Sequence, residues 1–357
     1  MKTTNFGRGN PVVWVLSMTL AITVGLVITA QMSGSSPAPQ KVKNTKESEY
    51  EITGPYSHKN LTVFLVHGPD KLPGKNFLTL QEALEQKKVI VFETKSVNEL
   101  AIQNLSNEDV YVQSGDIVKG GQQDRMLAVD LIVPGKSGKI PIAAFCVESG
   151  RWTKRGDEAT STFASSSESA ATKDLKLAAK VSKSQGAVWE NVTVAQDKLS
   201  SNVGSRVNAD VSESSLQLAV ENAKVQENVS DYTNELAAVT KKSQSNVIGY
   251  VFAINGKVNS ADVYASNALF MKLWPKLLKA SAVEAVAELQ KDGKFETLSA
   301  DQVKTFLAES ETGTATEKEV TARVRLVTRE NKQSVFFETV DKADESVWVH
   351  RNYIKKN

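Results

Sequence analysis

From Ser114 to Arg125 the chain reads Ser-Gly-Asp-Ile-Val-Lys-Gly-Gly-Gln-Gln-Asp-Arg, and after an apolar run it reads Cys-Val-Glu-Ser-Gly-Arg-Trp from Cys146 to Trp152. These two stretches gather the residue types that do chemistry. Gly120 and Gly121 let backbone N–H groups come close to a ligand, Gln123 adds an amide, and Lys119 with Arg125 can balance an anion. Asp116, Glu148, Arg125, Arg151 and Arg155 form a mixed-charge group at strand ends, with Trp152 placed to line a groove. Two carboxylates such as Asp116 and Glu148 serve as acid and base when their surroundings split their pKa values. The same group can equally be a structural set of ion pairs. It is not a phosphate loop, because the Gly-Lys-Ser/Thr ending and the helix that follows it are missing.

Cys146 is the single cysteine and a third catalytic candidate, as a thiolate nucleophile. Strand alternation sets Phe145 and Val147 on one face and Cys146 with Glu148 on the other. A neighbouring carboxylate keeps a thiol protonated, so Cys146 reads first as a packing residue, unless Arg151 or Arg155 overrides Glu148. One cysteine also rules out an internal disulfide. The three histidines, His58, His67 and His350, are too few and too scattered for a metal site of the nitrogen–sulfur type, and no cofactor motif is present.

Positioning these groups requires a sheet. Leu61 to Val66, Val89 to Phe92, Leu100 to Gln103, Val110 to Gln113, Met126 to Val133 and Ile140 to Val147 read as strands, separated by turns such as Pro134 to Gly138. Thr79-Leu80-Gln81-Glu82 is a capping box that opens a short helix. Asn255-Gly256 is the strongest hairpin signal, between strands Val247 to Ile254 and Lys257 to Tyr264. The stripes Leu269, Leu273, Leu277 and Phe270, Trp274, Leu278 predict a helix that covers a sheet face, with a kink from Pro275 near Met271. From 157 to 244 the composition turns to Ser, Ala, Lys and Glu, which predicts an open loop over Ser161 to Ser169 and then a helical excursion. The fold class is therefore α+β, an antiparallel β-sandwich-like core with several helices packed on it.

The whole chain has 357 residues and 41% hydrophobic content, enough for a real core. Its 43 basic and 41 acidic residues leave a net charge of +2, without the electrostatic footprint of a nucleic-acid binder. Lys2 and Arg8 precede an uncharged run from Val12 to Ala30, long enough to cross a bilayer, and Ile28-Thr29-Ala30 also passes as a cleavage site. The expected organisation is a basic N-terminus over 1–10, a signal anchor or signal peptide over 11–31 and a flexible linker over 32–59. A main domain over 60–292 and a C-terminal α+β appendage over 293–357 follow, although the last part also fits as extra strands on the main sheet. The chain is then a single-pass membrane protein with an extracytoplasmic C-terminal domain, or a secreted or periplasmic one if the signal is cleaved.

The candidate stretches also carry a resemblance. Gly115-Asp116, Gly120, Gln123, Arg125, Val133-Pro134, Ile140-Pro141, Cys146-Val147-Glu148 and Gly150-Arg151-Trp152 resemble the signature of the ARG and Rhodanese-Phosphatase-superfamily-Associated Protein domain. Phe77 to Leu84, Val97 to Leu100, Gln185 to Trp189, Ala253 to Val258 and Phe270 to Leu278 add matches, so the resemblance covers about Asn60 to Leu289. Gln122 stands where relatives tend to carry Lys, and Ile117 where many carry a second acid. The resemblance implies a fold and no particular reaction. The leading expectation is a binding or interaction module, with a small anionic ligand held by Asp116, Lys119, Gly120, Gln123, Arg125, Glu148, Arg151, Trp152 and Arg155. The alternatives are a hydrolase using Asp116 and Glu148, a thiolate enzyme using Cys146, and a scaffold whose charges only hold strands together.

Overall fold

The computed structural model describes residues 50–356 apart from 171, 243–245 and 345–346. The basic N-terminus, the signal segment and most of the linker, residues 1–49, lie outside the described residues. Among the described residues no helix is long and apolar enough to cross a membrane.

Three sheets organise the described residues. The largest is antiparallel and runs, edge to edge, Glu51–His58, Leu61–His67, Val247–Ile254, Lys257–Tyr264, Trp348–Lys355, Ser334–Asp341, Val324–Glu330 and Thr314–Glu319. Its alternation is two-sided. Leu61, Val63, Leu65, Tyr250 and Phe252 face one apolar cluster, and Phe64, Val66, Val251, Ala261 and Val263 face another. Helix Asn267–Ala287 packs on the first face and helix Ala300–Ser310 closes the second with Val303, Phe306 and Leu307. A sheet covered on both faces has continuous apolar strands, and every residue of Val247–Ile254 is buried.

The second sheet has six strands in the order Phe163–Ser169, Asp116–Gly120, Arg125–Leu127, Ile140–Cys146, Glu99–Asn104, Val89–Ser96. It curls until its edges meet. Phe92 bridges to Thr162, and the Glu93 N–H donates to the Ser161 carbonyl at 3.0 Å. The result is a small, incompletely closed barrel filled by Val89, Val91, Leu100, Ile102, Val118, Leu127, Ile142 and Ala144. Three short strands, Leu78–Thr79, Val110–Val112 and Leu131–Val133, form a third sheet beside it. Helix Asn267–Ala287 touches both Val247–Ile254 and Phe163–Ser169, so helices share the layer between the large sheet and the barrel.

Local signals hold where they were strongest. Thr79 accepts from the Glu82 N–H and Glu82 accepts from the Thr79 N–H, which completes the capping box of helix Leu80–Glu85. Asn255 and Gly256 take φ values of 52° and 73°, as a tight hairpin needs. The long helix Asn267–Ala287 continues through Pro275.

Three boundaries need correction. Glu51–His58 is the edge strand of the large sheet, not linker, because its backbone pairs with Leu61–His67. Phe163–Ser169 is a barrel strand, not an open loop; its ladder to Asp116–Gly120 compensates for a serine-rich sequence with little β preference of its own. The C-terminal part is not an appendage. Its four strands extend the large sheet, and Trp348–Lys355 joins them to Lys257–Tyr264, with Asp262 opposite Asn352 and Tyr264 opposite His350.

Candidate functional site

The turn between strands Asp116–Gly120 and Arg125–Leu127 folds inward onto charge. Asp124 is fully buried and receives Arg155 through both carboxylate oxygens, Nη1 at 2.8 Å and Nη2 at 2.9 Å. The Gly120 N–H donates to the same carboxylate at 3.0 Å and the Ser215 hydroxyl at 3.1 Å. Glu148, also fully buried, takes Arg151 Nε at 2.7 Å, Arg155 Nη1 at 3.3 Å, the Asp124 N–H at 3.0 Å and the Ser212 hydroxyl. Burial alone would raise the Glu148 carboxyl, but its bonds to Arg151 and Ser212 outweigh burial and hold it below its ordinary range. A carboxylate fixed in its ionised form by four donors is a poor proton shuttle.

The remaining expected residues scatter around this network. Lys119 pairs with Glu221 at the surface, and Trp152 is 48% exposed. Arg125 lies wholly inside, in register with Cys146 and on the barrel-facing side that it shares with Leu127. Its Nη2 stands 3.5 Å from Glu93, while its Nε and both side-chain amide atoms of Gln123 are buried without a hydrogen-bond partner among the described residues. Cys146 points into the barrel, away from Phe145 and Val147, and burial pushes its thiol up to about 11. Iodoacetamide at about pH 8 should therefore leave Cys146 unlabelled until the chain is unfolded; native labelling at the denatured rate would contradict its burial.

Asp116 belongs elsewhere. Its carboxylate takes Lys276 at 2.7 Å and the Gln113 N–H at 3.1 Å, and it lines a cleft between the helices and the large sheet. His350, on strand Trp348–Lys355, also lines that cleft. His350 Nδ1 is 2.8 Å from Asp130 and Nε2 is 3.0 Å from Asp262, with all three residues buried. Strand register explains the arrangement. Tyr264 lies opposite His350 and stacks on its ring at 4.5 Å; Asn352 lies opposite Asp262 and donates to it at 2.9 Å. Thr339, opposite His350 on the other side, donates to Asp130 at 2.6 Å.

Both imidazole nitrogens face carboxylates, so the ring is held as an imidazolium. Burial opposes that charge, and Asp130 with Asp262 overcome it, lifting His350 to about 9. The converse holds for Asp130, whose burial is outweighed by His350 so that it stays well below the usual carboxylate range.

Lysines complete the cleft. Helix Lys173–Leu177 and the π-helical turn Ala178–Ser182 bring Lys176 and Lys180 to it, and helix Asn267–Ala287 brings Lys276. Part of the Lys180 stem is exposed, but its ammonium end is inside, 2.7 Å from Asn352 Oδ1 and 4.0 Å above the Phe337 ring. Burial lowers Lys180 to about 8 against the pull of Asp130 and Asp262. No carboxylate pairs directly with Lys180 among the described residues. The enclosed space is about 20 Å³, room for one water or the end of a small ligand. A wider groove of about 690 Å³ borders the Asn255–Gly256 turn, but its lysines, Lys173, Lys198, Lys257 and Lys294, are matched by Asp174, Glu284, Glu288 and Glu296.

Of this cleft the sequence singles out only Asp116; His350 reads as one of three scattered histidines, and Asp262 and Lys180 stand in no motif. The available signal was a charged residue inside each of two apolar strands, Asp262 between Ala261 and Val263 and His350 after Val349.

No curated protein and no solved structure matches the chain. The family match spans more than the motifs around the turn suggested, taking in strand Glu51–His58 and the C-terminal strands that supply His350 and Asn352. From residue 49 to residue 354 the chain matches the ARG and Rhodanese-Phosphatase-superfamily-associated Protein domain, and it belongs to that family.

Proposed function

We propose that the chain is a binding domain, exported or membrane-tethered through its N-terminal apolar segment, that takes a small anionic ligand in the cleft of Lys176, Lys180, Lys276 and His350. The observation that carries this reading is the Lys180 ammonium. A buried charge without an opposite partner is costly, and an anion entering the cleft offsets that cost. Asp130 and Asp262 are already committed to His350, and Asp116 to Lys276. The Gly120 to Arg125 turn supports the reading less, because Asp124 and Glu148 are already balanced by Arg155 and Arg151, and Arg125 lies wholly inside the barrel. A hydrolase built on Asp116 and Glu148 finds no support in their partners, which differ, nor a thiolate enzyme in the environment of Cys146.

Thermal unfolding with acetate or phosphate, at constant ionic strength, tests the proposal. Saturating anion should stabilise the wild type, by about 2.7 kcal/mol at a hundredfold excess over Kd. The rise should fade as pH increases through about 8, where Lys180 loses its proton. Lys180→Met keeps the stem's shape, so it should be at least as stable as wild type without anion and show no rise with it. A full rise in Lys180→Met would move the ligand out of this cleft.

A further inference from the structure

An anion site needs a cation, and most surface lysines would serve. Lys180 is placed differently. Its nitrogen is held by one hydrogen bond, to Asn352, over the Phe337 ring, and it borders the cavity without a carboxylate to neutralise it. It sits in a π-helical turn, a geometry found disproportionately at functional sites. Lys176, one turn earlier, lines the same cavity and carries its own charge there. Behind Asn352 a hydrogen-bonded chain runs through Asp262 and His350 to Asp130, which fixes the amide that orients the amine.

We propose that Lys180 is a nucleophilic amine that condenses with a small oxo acid, the ligand's carboxylate lying against Lys176 and its carbonyl carbon against the Lys180 nitrogen. This rests on the anion reading and names its ligand class. In the step, the amine lone pair forms a C–N bond and the carbonyl π electrons move to oxygen. The two amine protons then leave with that oxygen as water, which gives an imine and one water. No oxidant or reductant is consumed. The cavity of about 20 Å³ favours the smallest members of the class, and Lys176 and Lys276, partly exposed along their stems, leave the mouth adjustable. Burial also keeps more of this nitrogen unprotonated near neutrality, by roughly a hundredfold over an ordinary lysine.

Glyoxylate at limiting concentration, with borohydride to trap the imine on the full chain, tests the proposal through peptide mapping of carboxymethyl-lysine. Lys180 should carry the adduct at least about tenfold more than any exposed lysine near pH 7.5, given its larger amine fraction. Excess acetate should suppress that adduct and leave surface labelling unchanged. Lys180→Met should lose both the acetate-induced rise in Tm and the trapped product at this position. If that variant does not fold, acetate competition in the wild type carries the same comparison. Labelling spread over exposed lysines with Lys180 at or below their level overturns the condensation. Should the acetate rise persist in that case, the anion reading stands alone; should it be absent too, both fall.

Discussion

Replacing Arg155 with Met is expected to cost about 3–5 kcal/mol of folding stability at neutral pH, because it leaves Asp124 buried without its counter-charge. The guanidinium holds both oxygens of Asp124 and also reaches Glu148 and Glu158. Arg151 remains, bonded to Glu148 at 2.7 Å but 3.8 Å from Asp124, so most of the loss falls on Asp124. In the native chain burial already raises the Asp124 carboxyl, with the Arg155 bond working against it and Glu148 working with burial. Without Arg155 it must rise further. A carboxyl whose folded pKa exceeds its unfolded value binds more protons when folded, so the variant's deficit should shrink as pH is lowered toward the folded pKa. Asp124→Asn combined with Arg155→Met should recover much of the loss, since these neighbours are strongly coupled. Urea titrations of the four proteins at two pH values decide the matter. A deficit below about 1 kcal/mol, the scale of an exposed pair, would show that the network is not holding the turn.

This network shows how much of the molecule its sequence announces. Thr79 and Glu82, or Asn255 and Gly256, act over a few residues, so their capping box and hairpin are readable without the fold. The stripes of Leu269 to Leu278 are equally local, and helix Asn267–Ala287 follows from them. Asp116–Gly120, with Asp, Lys and Gly among its five residues, carries little strand signal. It is nevertheless a strand, with Phe163–Ser169 on one side and Arg125–Leu127 on the other. Cys146 is the buried packing residue that its sequence suggests, although the sequence does not show what buries it. Alternation correctly sets it apart from Phe145, but curling of the sheet into a barrel buries its face as well.

The cleft is hidden for a further reason. His350 meets Asp130 across 220 residues and Asp262 across 88, so no window of sequence contains the charge arrangement that makes it an imidazolium. Trp348–Lys355 carries His, Arg and Asn among its apolar residues and lacks a clean alternation. Its polar groups are tolerated because Asp262, Glu338 and Asp130 arrive from other strands and a loop to meet them. Residues of this kind are recognised by what surrounds them after folding.

The second large effect concerns His350 and Lys180 together, and it has the form of a trough in stability against pH. His350 rises from 6.5 to about 9 on folding, so its contribution is complete below 6.5 and lost as pH rises through about 9. A shift of that size corresponds to about 3 kcal/mol. Lys180 falls from 10.5 to about 8, so the penalty for burying its charge is present below 8 and is relieved as pH rises toward 10.5. Between 6.5 and 8 only His350 responds, and stability should fall. From 8 to 9 the two oppose each other and the curve should flatten; beyond 9 Lys180 turns it upward. Near pH 10 the buried Tyr111, Tyr250 and Tyr264, all raised chiefly by burial, begin to pull it down again. Denaturant titrations at half-unit steps trace this shape. His350→Gln should lose about 3–5 kcal/mol at pH 7, because Asp130 and Asp262 remain buried without their shared cation. It should also abolish the falling limb between 6.5 and 8. A variant that keeps that limb would mean the proton resides on a group other than His350, and the imidazolium between two aspartates would have to be abandoned.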